Sequence, residues 1–319
     1  MMEEGLLSNV LEWYGTSGGS VPAIFGALGV PVGWIRTCVE LFDTFSTLDI
    51  QEELISRFLT EWGVDSGNNY TKYIGKCMDT WEPGSSEWTF SDCSNYRPGI
   101  FLGIPAVNLT TGEYVLFSSR THPHMKLLDA VRASSTIPMF FTPWKDEKGH
   151  IYCDGALKEH YPWACIPKEK HDTTLLIACN EEQLLSSKHA PIYTLSEYIS
   201  RILFFLSHTH REQYDIPKHR VVVNDTRVDV LDFFQTKEDL LSLVQSGIDA
   251  ASAWITQHSS EEIDGRTPYS SDPGTLSSLH SSGPNTVSGT PLWETPPPRP
   301  VLVPDLPTSY RPMSRRWSL

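Results

Sequence analysis

The chain has 319 residues, of which 39% are hydrophobic and 20% charged, enough apolar material for one large domain or two small ones. Its formal net charge of -14 argues against a nucleic-acid partner, which needs a basic face to displace phosphate counterions. The same charge argues against strong electrostatic attachment to anionic lipid but leaves an apolar membrane contact open.

The six cysteines, Cys38, Cys77, Cys93, Cys153, Cys165 and Cys179, form no C-x-x-C pair, so reduced thiols in a cytoplasmic setting are expected. The N-terminal "MMEEGLLSNV" carries acids where a signal peptide needs bases, and no apolar run reaches the 18 residues of a membrane span.

Taken in chain order, "VLEWY" at 10–14 reads as a short strand and "SVPAIFGALGV" as the helix after it, with Pro22 in the first turn, where no intrahelical bond is lost. "WIRTCVELFDTFS" and "IQEELISRFLTEW" space their apolar residues as helices do. "FLGIPAVNLTTGEYVLFSS" predicts two strands around the turn "LTTGE". "LLDAVRASSTI" is a short helix that stops before Pro138, and "HIYC" a short strand. "DTTLLIACN" is a buried strand, "TLSEYISRILFFLSH" an amphipathic helix, "KHRVVVNDT" another strand and "KEDLLSLVQSGIDAASAWITQ" the closing helix. Strands alternating with helices predict an α/β domain over 1–258, with a mainly parallel central sheet and helices on both faces. Residues 259–319 are crowded with Ser, Pro, Thr and Gly and lack an apolar period, the composition of a disordered tail.

Two stretches carry chemistry. The first is Gly15-Thr16-Ser17-Gly18-Gly19, a G-x-S-x-G pattern between a strand and a helix. On a nucleophile elbow, Gly15 and Gly19 keep Cβ atoms out of a close strand–helix contact, and the Gly18 N–H sits at the helix start, where developing negative charge is favoured. The competing account is an ordinary Gly/Ser turn, or a weak anion-binding loop. The second stretch is Asp154-Gly155-Ala156, which closes the strand "HIYC" and on its own reads equally as a D-G hairpin turn.

"GTSGGSVPAIFGALG", "LTTGEYVLFSS", "LLDAVRASSTIPMFFTPW" and "YCDGALKEHYP", in that order, resemble the landmarks of patatin-like phospholipases. The likeness extends over about residues 1–255. Ala130, Arg132, Ala133, Ser134 and Pro138 match that family's A-x-R-A-S-x-x-x-P segment. The resemblance implies a three-layer α/β/α fold and hydrolysis of carboxylic esters in phospholipids or acylglycerols, with lipid as the partner and no cofactor or metal. It further implies a Ser-Asp dyad, Ser17 as nucleophile and Asp154 as base, and transient contact with a membrane or lipid droplet.

The family's G-G-G-x-[KR]-G loop, a source of oxyanion-hole N–H groups, has no counterpart in this sequence, where fourteen residues precede Gly15. Three accounts stay open: a truncated gene model of an active enzyme, which is favoured, a catalytically weak homologue, and a donor supplied by another chain; the alternative to an enzyme is a non-catalytic lipid-binding or regulatory homologue.

Other candidates rank lower. His122/His124 and His208/His210 have H-x-H spacing, and a Ser17–Asp154–His208 or –His210 triad is a rival mechanism. Arg132 is a candidate for a phosphate head group, against an equal case for helix packing. The helix around "ISRILFFLSH" is a candidate for membrane contact, though core packing fits it better. The tryptophans at 34, 62, 81, 88 and 144 are candidates for lid or interface positions.

Overall fold

A computed structural model describes residues 9–43, 47–49, 54–179, 217–225 and 236–262, with Leu7 and Ile202 besides. The expected helix over 194–208 apart from Ile202, both His208 and His210, and the expected tail beyond Glu262 lie outside the described residues.

β1 (Glu12–Tyr14) leads through Gly15 and Thr16 into a single 3-10 turn, Ser17–Gly19, and then α1 (Ser20–Leu28). α1 is apolar almost all round and buried almost throughout, as a helix in the middle of a core must be. Gly29 (φ +72°) ends it in the left-handed conformation glycine favours, and the Arg97 guanidinium donates to the freed carbonyls of Gly26 and Ala27.

α2 (Val32–Leu41) and α3 (Leu54–Glu61) follow, then β2 (Gly63–Asp65). α4 (Asn68–Trp81) and α5 (Phe90–Tyr96) complete this half, both passed over by the periodicity reading. α5 opens on a capping box, Thr89 with Asp92, which the string "TFSD" already spells.

The main sheet is built on β3 (Phe101–Asn108), buried along nearly its whole length. β4 (Glu113–Ser118) pairs antiparallel with one edge of β3, from Gly103↔Ser118 to Asn108↔Glu113. The opposite edge is shared by two strands. β1 pairs parallel with Phe101–Gly103, and β7 (Ile151–Asp154) pairs antiparallel with Ala106–Asn108. β1 and β7 therefore run toward each other along one edge and stop facing, at Gly103 and Ala106. Pro105 lies in the gap between them, where its missing N–H deprives no ladder partner. β6 (Trp144–Lys145) pairs antiparallel with β7, and α6 (Leu127–Ser134) packs against β3 and β7.

The α/β class is as expected, but the strand directions are not. In this five-stranded sheet β1–β3 is the parallel pairing, and β3–β4, β3–β7 and β6–β7 are antiparallel. The connections explain it: Leu109–Gly112 and Asp146–His150 are too short for a crossover, so the strands they join must reverse. Parallel pairing reappears in two smaller pairs, β2 with β5 (Met139–Phe141) and β8 (Leu175–Cys179) with β9 (His219–Val223).

The core lies between α1, α6 and the sheet. Ile24 and Leu28, Ile104, Phe117, Leu127 and Val131 are all essentially sealed from solvent. Each such side chain contributes about 1.5–3 kcal/mol of hydrophobic stabilisation. The closing helix α7 (Lys237–Glu262) packs on β9 and runs four residues past position 258. Among the described residues no helix is long and apolar enough to cross a membrane.

Candidate active site

The facing ends of β1 and β7 bring two side chains together. Ser17 Oγ donates a hydrogen bond to Asp154 Oδ2 across 2.6 Å. The contact is direct, hydroxyl to carboxylate, and His208 and His210, the histidines of the rival triad, lie outside the described residues.

Ser17 has φ +54°, a left-handed conformation that costs a non-glycine residue energy and is held only by its surroundings. Three hydrogen bonds do the holding. The Ser17 N–H donates to Ser134 Oγ at 2.9 Å, the Ser17 carbonyl accepts from Ser20 Oγ at 2.5 Å, and the Gly19 N–H donates to the Thr16 carbonyl at 2.9 Å. Ser20 and Ser134 are fully buried, so neither hydroxyl has water as an alternative partner.

The glycines divide by role. A Cβ on Gly15 would come within 2.2 Å of the Gly19 carbonyl oxygen and 2.8 Å of the Ala23 Cβ, so position 15 excludes every other residue. Gly19 differs from its expected role: a Cβ there meets nothing within 4 Å, and the same holds for Gly18. The elbow curls away from them, and both face solvent. The Gly18 N–H makes no hydrogen bond among the described residues, which leaves it available at the turn that opens α1.

Asp154 is held as closely. Its N–H donates to the Thr136 carbonyl at 2.9 Å, and its Oδ1 accepts from the Ala156 N–H at 2.8 Å. The turn after it is a 3-10 turn, Gly155–Leu157, rather than a hairpin loop. Gly155 is required by crowding and not by an unusual φ: its Cβ would stand 2.7 Å from the Pro105 carbonyl oxygen and 3.0 Å from Thr16 Cγ2. The close approach of Gly155 to Thr16 is what lets the two strand ends abut. Asp154 is 5% exposed, and desolvation pushes its pKa up to about 6 against the opposing pull of the Ser17 hydroxyl and the Ala156 N–H.

The segment between the two halves of the site is structural. Arg132 is buried, and its guanidinium donates to the Ser66 carbonyl at 2.8 Å, to Thr136 Oγ1 at 2.7 Å and to the Thr142 carbonyl. Burial lowers its pKa to about 10. Its donors are spent on backbone and a hydroxyl, which settles the choice between head group and packing in favour of packing. Ser134 and Thr136, the immediate neighbours of Ser135, reach Ser17 and Asp154 respectively. The sequence marked Ser134 only as part of the A-x-R-A-S match and gave it no role, and Thr136 was passed over.

His122 packs edge-on against Phe117, and burial lowers its pKa. No group of three metal-ligating side chains occurs among the described residues.

A family model described as patatin-like phospholipase matches residues 2–164, slightly more than half of the chain. A curated relative, "Probable lipid hydrolase 463L" of Invertebrate iridescent virus 6, is 24% identical over 156 residues. That match takes in 49% of this chain and 53% of the relative, so the chain spans about half the relative's length. Among solved structures, VipD from Legionella pneumophila aligns at 15% identity and a TM-score of 0.47, over 81% of this chain and 63% of VipD. The type III effector protein ExoU aligns at 14% identity and a TM-score of 0.37, over 80% of this chain and 48% of ExoU. The matched span contains the elbow, the A-x-R-A-S segment and the Asp-Gly turn, and with it the chain belongs to the patatin-like phospholipase family.

Proposed function

We propose that the chain is a serine acyl hydrolase that cleaves carboxylic esters of phospholipids or acylglycerols through Ser17 and Asp154, with no cofactor or metal in the reaction. The observation that carries this reading is the direct 2.6 Å hydrogen bond from a left-handed serine to a buried carboxylate. In the reaction, Ser17 Oγ attacks the ester carbonyl carbon as its proton passes to Asp154 Oδ2. Negative charge gathers on the carbonyl oxygen, and the Gly18 N–H donates to it. The tetrahedral intermediate collapses, the C–O bond breaks, and the leaving alkoxide takes the proton from Asp154. Water then attacks the acyl-serine, giving a proton to Asp154, and the fatty acid leaves as Ser17 recovers its own.

The family supports a lipid substrate, and the curated relative is described as a probable lipid hydrolase. The catalytic domain of this reading is residues 1–258, followed by a tail over 259–319, in a cytoplasmic protein that meets lipid surfaces transiently. A second reading, a lipid-binding homologue without turnover, is favoured by one observation: at the elbow, among the described residues, the Gly18 N–H is the one donor found open to a developing oxyanion. Loss of one such donor costs on the order of 100- to 1000-fold in turnover.

Labelling with a fluorophosphonate separates the two. The expected result is a labelled parent, no label on Ser17→Ala and slow labelling of Asp154→Asn. An unlabelled but folded parent would rule out the hydrolase reading in favour of the binding one.

A further inference from the structure

α3 is an amphipathic helix mounted the wrong way round. Ile55, Phe58, Leu59 and Trp62, at i, i+3, i+4 and i+7, are 74%, 40%, 69% and 53% exposed. At 100° per residue they fall within an arc of about 100°, the width of a core-facing stripe. The inward position goes instead to a charge. Arg57, on the opposite side of the helix, has a side chain only 18% exposed and donates to the Asp49 carbonyl at 2.7 Å. Its guanidinium also pairs with the Asp49 carboxylate at 3.3 Å.

The stripe continues past the helix end. The Trp62 N–H donates to the Phe58 carbonyl, closing the last turn, and Trp62 itself has φ +64°. Gly63 pairs with Met139, which is half exposed and has φ +68°. Apart from Ser17, these are the two non-glycine residues with positive φ among those described, and both hold large apolar side chains toward solvent. Together they line an apolar cavity of about 360 Å³. Lys145 places its ammonium 5.3 Å from the centre of the Trp62 ring. An aromatic ring beside a lysine at the edge of an apolar stripe is the composition of a membrane–water boundary.

We propose that the outward face of α3, from Ile55 to Trp62 and on to Met139, is the surface by which the protein seats on an electrically neutral lipid surface. The occupant follows from two facts besides the stripe. The family supplies a lipid as the thing to be approached, so the proposal rests on the hydrolase reading for its purpose but not for its physics. The net charge of -14 repels anionic bilayers, so attachment must come from apolar burial. The A-x-R-A-S stretch ties this face to the dyad: Ser134 holds Ser17, Thr136 holds Asp154, and Met139 three residues on belongs to the stripe.

The test is flotation of the full chain with phosphatidylcholine vesicles, beside the double variant Ile55→Ser/Leu59→Ser and with hydrolysis of a water-soluble short-chain ester measured in parallel. Both positions face solvent, so the variant should melt with the parent. The expected result is binding of the parent that persists at high salt and falls about 100-fold in the variant, with ester hydrolysis unchanged. A parent that does not float, floats as well after the substitutions, or binds only anionic vesicles at low salt would overturn the proposal. So would a parent that sizes as a dimer and a variant that sizes as a monomer, since the stripe would then seal against a second copy. Flotation that follows the expected pattern without ester hydrolysis would leave the docking face standing and remove the hydrolase reading instead.

Discussion

At the scale of single residues, Ser17 and Asp154 are each kept in a state their own chemistry disfavours. The serine sits in a left-handed conformation, and the carboxylate sits where its charge is poorly solvated. A carboxylate with a pKa near 6 is a better base than one near 4, and it is still mostly ionised at neutral pH. The turnover of the parent should therefore rise with pH through an apparent pKa of about 6 and level off above it, as a pH–rate profile on a soluble ester would register. The stability cost has the opposite sign. Asp154 binds its proton more tightly folded than unfolded, so folding stability is full below about pH 4 and falls as pH rises toward 6. The two-unit shift corresponds to about 3 kcal/mol. Asp154→Asn should melt above the parent at pH 8 and level with it at pH 4, read by calorimetry, while losing activity.

Gly15 gives a second prediction at this scale. Gly15→Ala drives a Cβ into backbone 2.2 Å away and should cost more than about 2 kcal/mol of stability. Gly19→Ala, with open space around it, should unfold at nearly the same denaturant concentration as the parent.

At the scale of elements, the A-x-R-A-S segment is a bracket with two arms. One arm, Ser134, holds Ser17, and the other, Thr136, holds Asp154. Arg132 sets the bracket against Ser66 and Thr142, which explains an arginine there without any anionic ligand. Ser134→Ala leaves the half-buried Ser17 N–H without its partner, a loss of about 1 kcal/mol. We expect fluorophosphonate labelling to slow by tenfold or more, with KM for a soluble ester nearly unmoved, because the hydroxyl acts on the elbow and not on substrate.

This element also shows what the sequence could say. The residue types at 130–138 pointed to the family, yet their reasons were invisible there. A hydroxyl that accepts from a backbone N–H 117 residues away leaves no periodic trace. The elbow and the Asp-Gly turn were legible because each is a local string with its own geometry. Gly19 was misjudged because its surroundings are set by how α1 leaves the turn, which local spacing does not encode.

At the scale of the whole molecule, the class and most elements of the main sheet could be read from alternating patterns, while the direction of the strands could not. Alternation of strands and helices favours parallel sheets on average, but the decisive quantity was connection length at Leu109–Gly112 and Asp146–His150. α4 was passed over because its apolar residues, Ile74, Cys77 and Met78 among them, are thinly spread among polar ones. The outward stripe of α3 was legible as a helix yet not as an exposed face, since periodicity gives the stripe and not the side it faces.

The sharing of one β3 edge by β1 and β7 has a consequence in time as well as in space. Ser17 and Asp154 are 137 residues apart in the chain and meet only where those strands abut. A chain that has been synthesised as far as Cys153 carries Ser17 without its carboxylate partner. Closing so long a segment is among the slower events of folding, because its entropy is lost before the contact gives anything back. The Ser17–Asp154 contact thus belongs to the finished molecule alone. On the proposed hydrolase reading, a nascent or partly unfolded chain, however much helix it holds, is harmless to the lipids around it.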